Sequence, residues 1–322
     1  MIDDKRSLAA SIMAVLSVLA LAGCSVDQYA RMLLEQDTSY GRIWEAMVGT
    51  SEQLVASGQI SAGRRFTTPD GIEIDVWVLK ARGRSKGQPS RGTVLVLHGL
   101  CDSKVSYLRL AKALSKRGFD VVLTDLRAHG RSTGRYVTYG ALEKADQKRI
   151  VDALLDEKLI SEPVYVFGRS LGASVAILYA AIDPRVRGVV AVTPSKDMPA
   201  MCRRFLNRNA ILLDEDTFQK VIARAGKLGH FDPAEASVVS AAAKLDCPLL
   251  LVHGKADHFV PYTDSEEIYR AAAGPKELEL IPWADHFIDY VREEKMVERV
   301  EKVVAGRLKA AVQPATTTRP AK

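Results

Sequence analysis

Gly168-Arg169-Ser170-Leu171-Gly172 sets a serine between two glycines, where the apolar run PVYVFG at 163–168 gives way to a helical pattern from about Leu171. A serine on so tight a strand-to-helix turn needs small neighbours and projects its hydroxyl from the strand end. Strain is expected in its backbone, and the helix N-terminus behind it favours developing negative charge. A serine hydroxyl is a weak nucleophile at its ordinary pKa and needs a base held by an acid. His286, after KELELIP at 276–282, is the candidate base, and Asp257, after PLLLVHG at 248–254, the candidate acid. The chain order is then serine, acid, histidine. Asp197 is the alternative acid; Asp285 adjoins His286 too closely to support it. Two backbone N–H groups, of Leu171 and of Leu100 in His98-Gly99-Leu100, are candidate donors to an oxyanion. The chemistry implied is acyl transfer through a covalent serine intermediate. The competing reading of Ser170 is a turn serine that caps a helix.

These residues need a frame that brings them to one edge. Thr93–His98 (TVLVLH) reads as a strand buried on both faces, followed by a helix near 104–116, and DVVLTD at 120–125 reads as another such strand. A helix near 141–157, PVYVFG, a helix over 171–182 and GVVAVT at 188–193 continue the alternation. After a break come PLLLVHG, a helix near 264–273, KELELIP and a last helix near 290–310. Strand–helix repetition predicts an α/β fold, a mostly parallel central sheet flanked by helices, with the candidate residues at strand C-terminal ends. The core is expected over 65–194 and 246–311, opening with a hairpin at 66–80 around Pro69-Asp70-Gly71. Residues 195–245 carry no strand pattern and read as a small helical cap over one end of the sheet. Its Met198, Met201, Phe205, Leu206, Ile211, Leu212, Leu213, Phe218 and Val221 are candidates either for an acyl pocket or for plain packing. Residues 24–64 read as a polar N-terminal segment with one or two helices, and 312–322 as a disordered tail.

Composition excludes several classes. At 322 residues, with 47% hydrophobic and 26% charged, the chain is neither disordered nor a polytopic membrane protein. Lys and Arg number 45 against 39 Asp and Glu, a formal net charge of +6, and four of those charges (Arg307, Lys309, Arg319, Lys322) sit in the tail. That is no nucleic-acid footprint. Cys101, Cys202 and Cys247 are too few and too scattered for a disulfide framework or a metal motif. The sequence has no metal-ligand spacing and no phosphate-cradling loop, so no cofactor and no metal are expected. His98, before a turn, reads as loop-ordering, and His230, His253 and His258 as structural or exposed. Protein partners are not legible.

Leu8 to Leu21 is an apolar run behind Lys5 and Arg6, short for a bilayer span and closed by small residues, which predicts a signal peptide over 1–23. Leu21-Ala22-Gly23-Cys24 resembles the lipobox of bacterial lipoproteins, although Asp3 and Asp4 offset the usual positive leader. The resemblance implies acylation of Cys24 and a lipid-anchored enzyme in the bacterial cell envelope. Ser25 rather than Asp after the cysteine resembles the pattern of outer-membrane retention in enteric bacteria.

Ser170, Asp257 and His286, with His98-Gly99-Leu100 and the string Asp125-Leu126-Arg127-Ala128-His129-Gly130-Arg131-Ser132, resemble the α/β-hydrolase superfamily. The string is similar to the D-x-R-G-H-G-x-S segment of its monoacylglycerol lipase and serine aminopeptidase-like branch, with Ala128 where that segment has glycine. The resemblance implies that Asp125, His129, Gly130 and Ser132 order a loop. It also implies a serine hydrolase of carboxylic esters, lipid or short-chain. Alternatives are a peptidase on the same triad, with Asp214, Glu215 and Asp216 as an amine clamp, and a non-catalytic envelope lipoprotein.

Overall fold

A computed structural model describes residues 25–36, 43, 46–83, 88–288 and 292–308. The leader with Cys24 and the tail from 309 lie outside the described residues. Eight strands form one sheet: β1 (Ala62–Thr67), β2 (Glu73–Leu79), β3 (Thr93–Leu97), β4 (Asp120–Thr124), β5 (Val164–Arg169), β6 (Val186–Val192), β7 (Leu249–Gly254) and β8 (Lys276–Ile281). They lie in the order β1-β2-β4-β3-β5-β6-β7-β8. β1–β2 and β2–β4 pair antiparallel, and every later pair is parallel. The apolar runs of β3, β4 and β7 are buried along their whole length, as strands covered on both faces must be.

The hairpin begins at Ala62, four residues earlier than the sequence suggests. β1 is an edge strand whose exposed Arg64 and Arg65 hide any alternation, and it is held by backbone pairing to β2. The other edge, β8, is also charged: Glu277 pairs with Lys302 and Glu279 with Arg299 of the last helix. Charged edges resist pairing with a second chain.

Helices α1 (Val26–Leu34) and α2 (Ser51–Ala56) precede the sheet; α3 (Leu108–Lys116), α4 (Glu143–Asp156), α5 (Leu171–Ala180), α9 (Tyr262–Ala271) and α10 (Glu293–Val304) flank it. The core is double. Trp77, Phe119 and Phe167 pack under α3 and α10 on one face, while α4, α5 and α9 bury the other. α5 is apolar all round because it lies between the sheet and α4, and nine of its ten residues are buried.

Between β6 and β7 run α6 (Met198–Arg208), α7 (Glu215–Gly229), a 3-10 turn (Pro233–Ala236) and α8 (Val238–Ala242). The segment closes on itself: Asp197 bridges Ser237, and the Val238 amide donates to the Lys196 carbonyl at 2.9 Å. α8 packs along α5. α1 is started by a capping box between Ser25 and Gln28 and docks on α7, with Asp27 meeting Arg224. No helix among the described residues is long and apolar enough to cross a membrane.

Candidate active site

Register brings the parts together. Leu97 at the end of β3 is opposite Gly168 in β5, so the His98–Leu100 turn and the Ser170 turn leave the sheet side by side. The glycines are required by space. A Cβ on Gly168 would overlap the carbonyl of Gly172, and one on Gly172 would overlap the carbonyls of Leu97 and His98. Ser170 sits between them at φ 53°, ψ −119°, a sparsely populated conformation for a residue with a side chain.

The Ser170 hydroxyl lies 3.1 Å from His286 Nε2, and His286 Nδ1–H donates to Asp257 Oδ2 at 2.7 Å. Three residues from three strand ends thus form one hydrogen-bonded chain, with Ser170, Asp257 and His286 all buried. The other Asp257 oxygen accepts the amides of Phe259 at 2.8 Å and Val260 at 2.9 Å. Burial opposes ionisation of Asp257, but hydrogen bonds from His253 and His286 outweigh it and hold the carboxyl well below the usual range. Asp197 is engaged elsewhere: it caps α6, accepting the Ala200 amide at 2.7 Å. Asp285 accepts the Phe287 amide at 2.9 Å.

Leu100 and Leu171 border the space in front of Ser170, and among the described residues neither amide has a protein acceptor. The Leu100 turn is held from below. His98 accepts the Leu126 amide at Nε2 (3.0 Å) and donates from Nδ1 to the Gly99 carbonyl (2.8 Å), a neutral tautomer; burial lowers its pKa. Asp125 accepts the Lys104 amide at 2.9 Å and pairs with the buried Lys104 ammonium, which reaches Asp75 of β2 at 2.8 Å. The Arg131 amide and the Ser132 hydroxyl complete the grip on Asp125. Gly130, at φ 51°, leaves room for the Asp125 carboxylate where a Cβ would stand. His129 is buried and donates to the Arg127 carbonyl at 2.7 Å; burial and the neighbouring His98 push its pKa down to about 4. Arg127 clamps two carboxylates, Asp70 of the β1–β2 turn and Asp146 of α4.

Two cavities meet at Ser170. A narrow slot of about 20 Å³ is lined by Leu171, Tyr139, Ser174, Met198, Val238 and others. A cleft of about 720 Å³ is lined by His286, Asp102, Arg169, Arg204, Phe205, Phe259 and Phe287 among others. Leu100 and Met201 border both. Of the insertion residues picked out by hydrophobicity, Met198, Met201 and Phe205 reach the cavities; Leu206, Ile211, Phe218 and Val221 are core, and Leu212 is exposed. The acidic trio serves its own helix: Asp214 caps α7, Glu215 pairs with Arg203 and Asp216 with Lys220. None of the three lines either cavity. Among the described residues Cys101, Cys202 and Cys247 form no disulfide.

Three residues contribute beyond what the sequence indicates, His253 among them although it reads there as structural or exposed. His253 packs behind the acid, with Nε2 at 3.3 Å from Asp257 Oδ2. Arg169, the variable residue before the serine, donates to the His286 carbonyl at 3.2 Å and stacks on Phe287. Asp102 is buried beside the Leu100 turn, accepting from Ser103 and Ser106, and burial raises its pKa. The placement of Asp257 and His286 immediately after strand ends was the available signal for the first two; Asp102 had none.

A family model described as "alpha/beta hydrolase fold" matches residues 92–232. The uncharacterized protein YqkD of Bacillus subtilis is 25% identical over 211 residues, 62% of this chain and 66% of that protein. A monoacylglycerol lipase of Mycolicibacterium smegmatis is 25% identical over 267 residues, 72% of this chain and 92% of the relative. Among solved structures, an esterase of Pyrococcus furiosus is similar with a TM-score of 0.61 and 27% identity, covering 79% of this chain and 95% of the esterase.

Proposed function

We propose that this chain, an α/β-hydrolase, is a serine hydrolase of carboxylic esters working through an acyl-enzyme. Ser170 Oγ attacks the acyl carbon while His286 Nε2 takes its proton. Asp257 stays ionised and stabilises the imidazolium. The amides of Leu100 and Leu171 receive the oxyanion. Collapse breaks the C–O bond, and His286 returns the proton to the leaving alcohol. A water molecule then gives a proton to His286 as it attacks the acyl carbon, and His286 returns that proton to Ser170 Oγ as the C–Oγ bond breaks and the acid leaves. Every role falls to a group of this chain, so the reading calls for no cofactor.

The observation that carries the reading is the hydrogen-bonded series Ser170–His286–Asp257, with its serine held at φ 53°. The similarity to an esterase and to a monoacylglycerol lipase supports an ester substrate. A fluorophosphonate probe is expected to label the protein, and Ser170→Ala to abolish both labelling and turnover of p-nitrophenyl esters. Equal labelling of the alanine variant would move the nucleophile elsewhere. Aminoacyl-anilides assayed beside the esters test the peptidase alternative, which loses support because its acidic trio serves α7.

We also propose that the enzyme is lipid-anchored in a bacterial envelope through Cys24. The support is the Leu21–Cys24 string, directly followed by the Ser25 cap of α1. Cys24→Ser is expected to move the protein from the membrane to the soluble fraction, and unchanged partitioning would remove the anchor.

A further inference from the structure

The two cavities at Ser170 differ in what they contain as much as in size. In ester cleavage the leaving oxygen must come within hydrogen-bond reach of the base that protonates it. His286 lines the cleft of about 720 Å³ and does not line the slot of about 20 Å³. The alcohol therefore belongs in the cleft, and the acyl chain, on the far side of the attacked carbon, belongs in the slot. A water-sized group needs roughly 10–15 Å³ of such space, so the slot has room for one or two carbon groups beyond the carbonyl. Its walls do not give way easily: Met198 and Val238 are 1% exposed, and Tyr139 is fixed by donating its hydroxyl to the Leu33 carbonyl at 2.6 Å. The cleft is large enough for a drug-sized group and carries the rings of Phe205, Phe259 and Phe287.

We infer that the substrate is an ester of a short acid, acetyl or propionyl, with a bulky alcohol, and that Met201 is the side chain that limits the acyl length. The inference rests on the serine-hydrolase reading above and adds its substrate class. Met201 borders both cavities and is half-buried, so it forms the wall between them. A methylene that a pocket cannot house costs about 10-fold or more in kcat/KM.

The test is a pair of isomers, hexyl acetate and ethyl hexanoate, which have the same atoms with the two sides exchanged. The unmodified chain is expected to favour hexyl acetate by about 100-fold in kcat/KM. Equal rates, or a preference for ethyl hexanoate, would overturn the assignment. Met201→Ala is expected to shift that ratio at least about 10-fold toward the hexanoate; a folded variant with an unchanged ratio would remove Met201 from the wall. The isomer ratio is read on the unmodified chain and holds whether or not M201A folds. Fluorophosphonate labelling run in parallel separates the two readings. Labelling at Ser170 with a hexanoate preference sinks only the acyl-length inference, whereas no labelling and no cleavage of either isomer sinks the hydrolase reading and this one with it.

Discussion

His253 Nε2 lies 3.3 Å from Asp257 Oδ2, the oxygen that accepts the His286 Nδ1 proton at 2.7 Å. The His253 ring is pinned on both sides, its single Nε2–H shared between the Val260 carbonyl at 3.0 Å and Asp257, and its Nδ1 accepting from the Ser265 hydroxyl at 2.7 Å. In the mechanism proposed above it is a positioning residue for Asp257. His253→Phe keeps the ring volume and removes both nitrogens. The expected result is a kcat lower by about 10-fold with KM unchanged, the size of one hydrogen bond to a charged group. Asp257→Asn, which disturbs the His286 tautomer itself, should cost about 10³–10⁴-fold. A wild-type kcat in H253F would show that the Phe259 and Val260 amides hold the carboxylate unaided.

The Ser170 turn should be intolerant of one added methyl group. Gly168→Ala sets a Cβ against the Gly172 carbonyl, which is backbone and cannot step aside. Overpacking of this kind costs about 1–3 kcal/mol. Displacing the serine by about 1 Å would lower turnover about 100-fold. Urea midpoints and p-nitrophenyl acetate kinetics check both, and an active, equally stable G168A would mean the turn is looser than its contacts imply.

Ala128 lies at φ 61°, a left-handed conformation that suits glycine, the residue found there in the segment it resembles. Ala128→Gly relieves the strain, partly offset by glycine's greater unfolded-state freedom. A gain of about 0.5–1 kcal/mol is expected in chemical denaturation, without change in kcat. Loss of stability would show that the Ala128 methyl contributes more by packing than its backbone costs.

Acid should unfold the protein in part through His129. Its pKa falls from 6.5 to about 4 because the ring is fully buried and neighbours His98. Between those two values the unfolded chain binds a proton that the native ring refuses. Stability from this group is therefore present above pH 6.5 and lost as pH falls toward 4, by up to about 3 kcal/mol. Urea midpoints at pH 7, 5.5 and 4.5 should drop less in His129→Asn, which has no proton to take up; parallel curves for the two proteins would assign the acid sensitivity elsewhere.

What the sequence disclosed follows from the reach of each signal. Continuous apolar runs ending in Gly or His marked β3, β5 and β7, and residues directly after those runs had to emerge at one edge. Ser170 and Asp257 were legible for that reason, and His286 from its place after the alternating run of β8. β1 starts earlier than expected because backbone pairing, to which sequence patterns are nearly blind, holds it to β2. Hydrophobicity left nine insertion residues open between a pocket and plain packing; Leu206 and Phe218 point into the core, since a helix face is chosen by tertiary packing. His253 could not be read because its value to the site lies in one contact across a loop, and Lys104 because a buried ammonium is explained only by Asp75 and Asp125 around it.

The backbone of Ser170 carries a further consequence for how this chain can evolve. At φ 53°, ψ −119° a side chain costs on the order of 1–3 kcal/mol, whereas glycine occupies such a conformation at little cost. Selection for heat resistance alone would drift toward glycine at 170 and extinguish the chemistry proposed for Ser170. Lineages that need a hardier enzyme must find their reinforcement far from the elbow, and a thermally robust relative with glycine there would be a fossil of the activity.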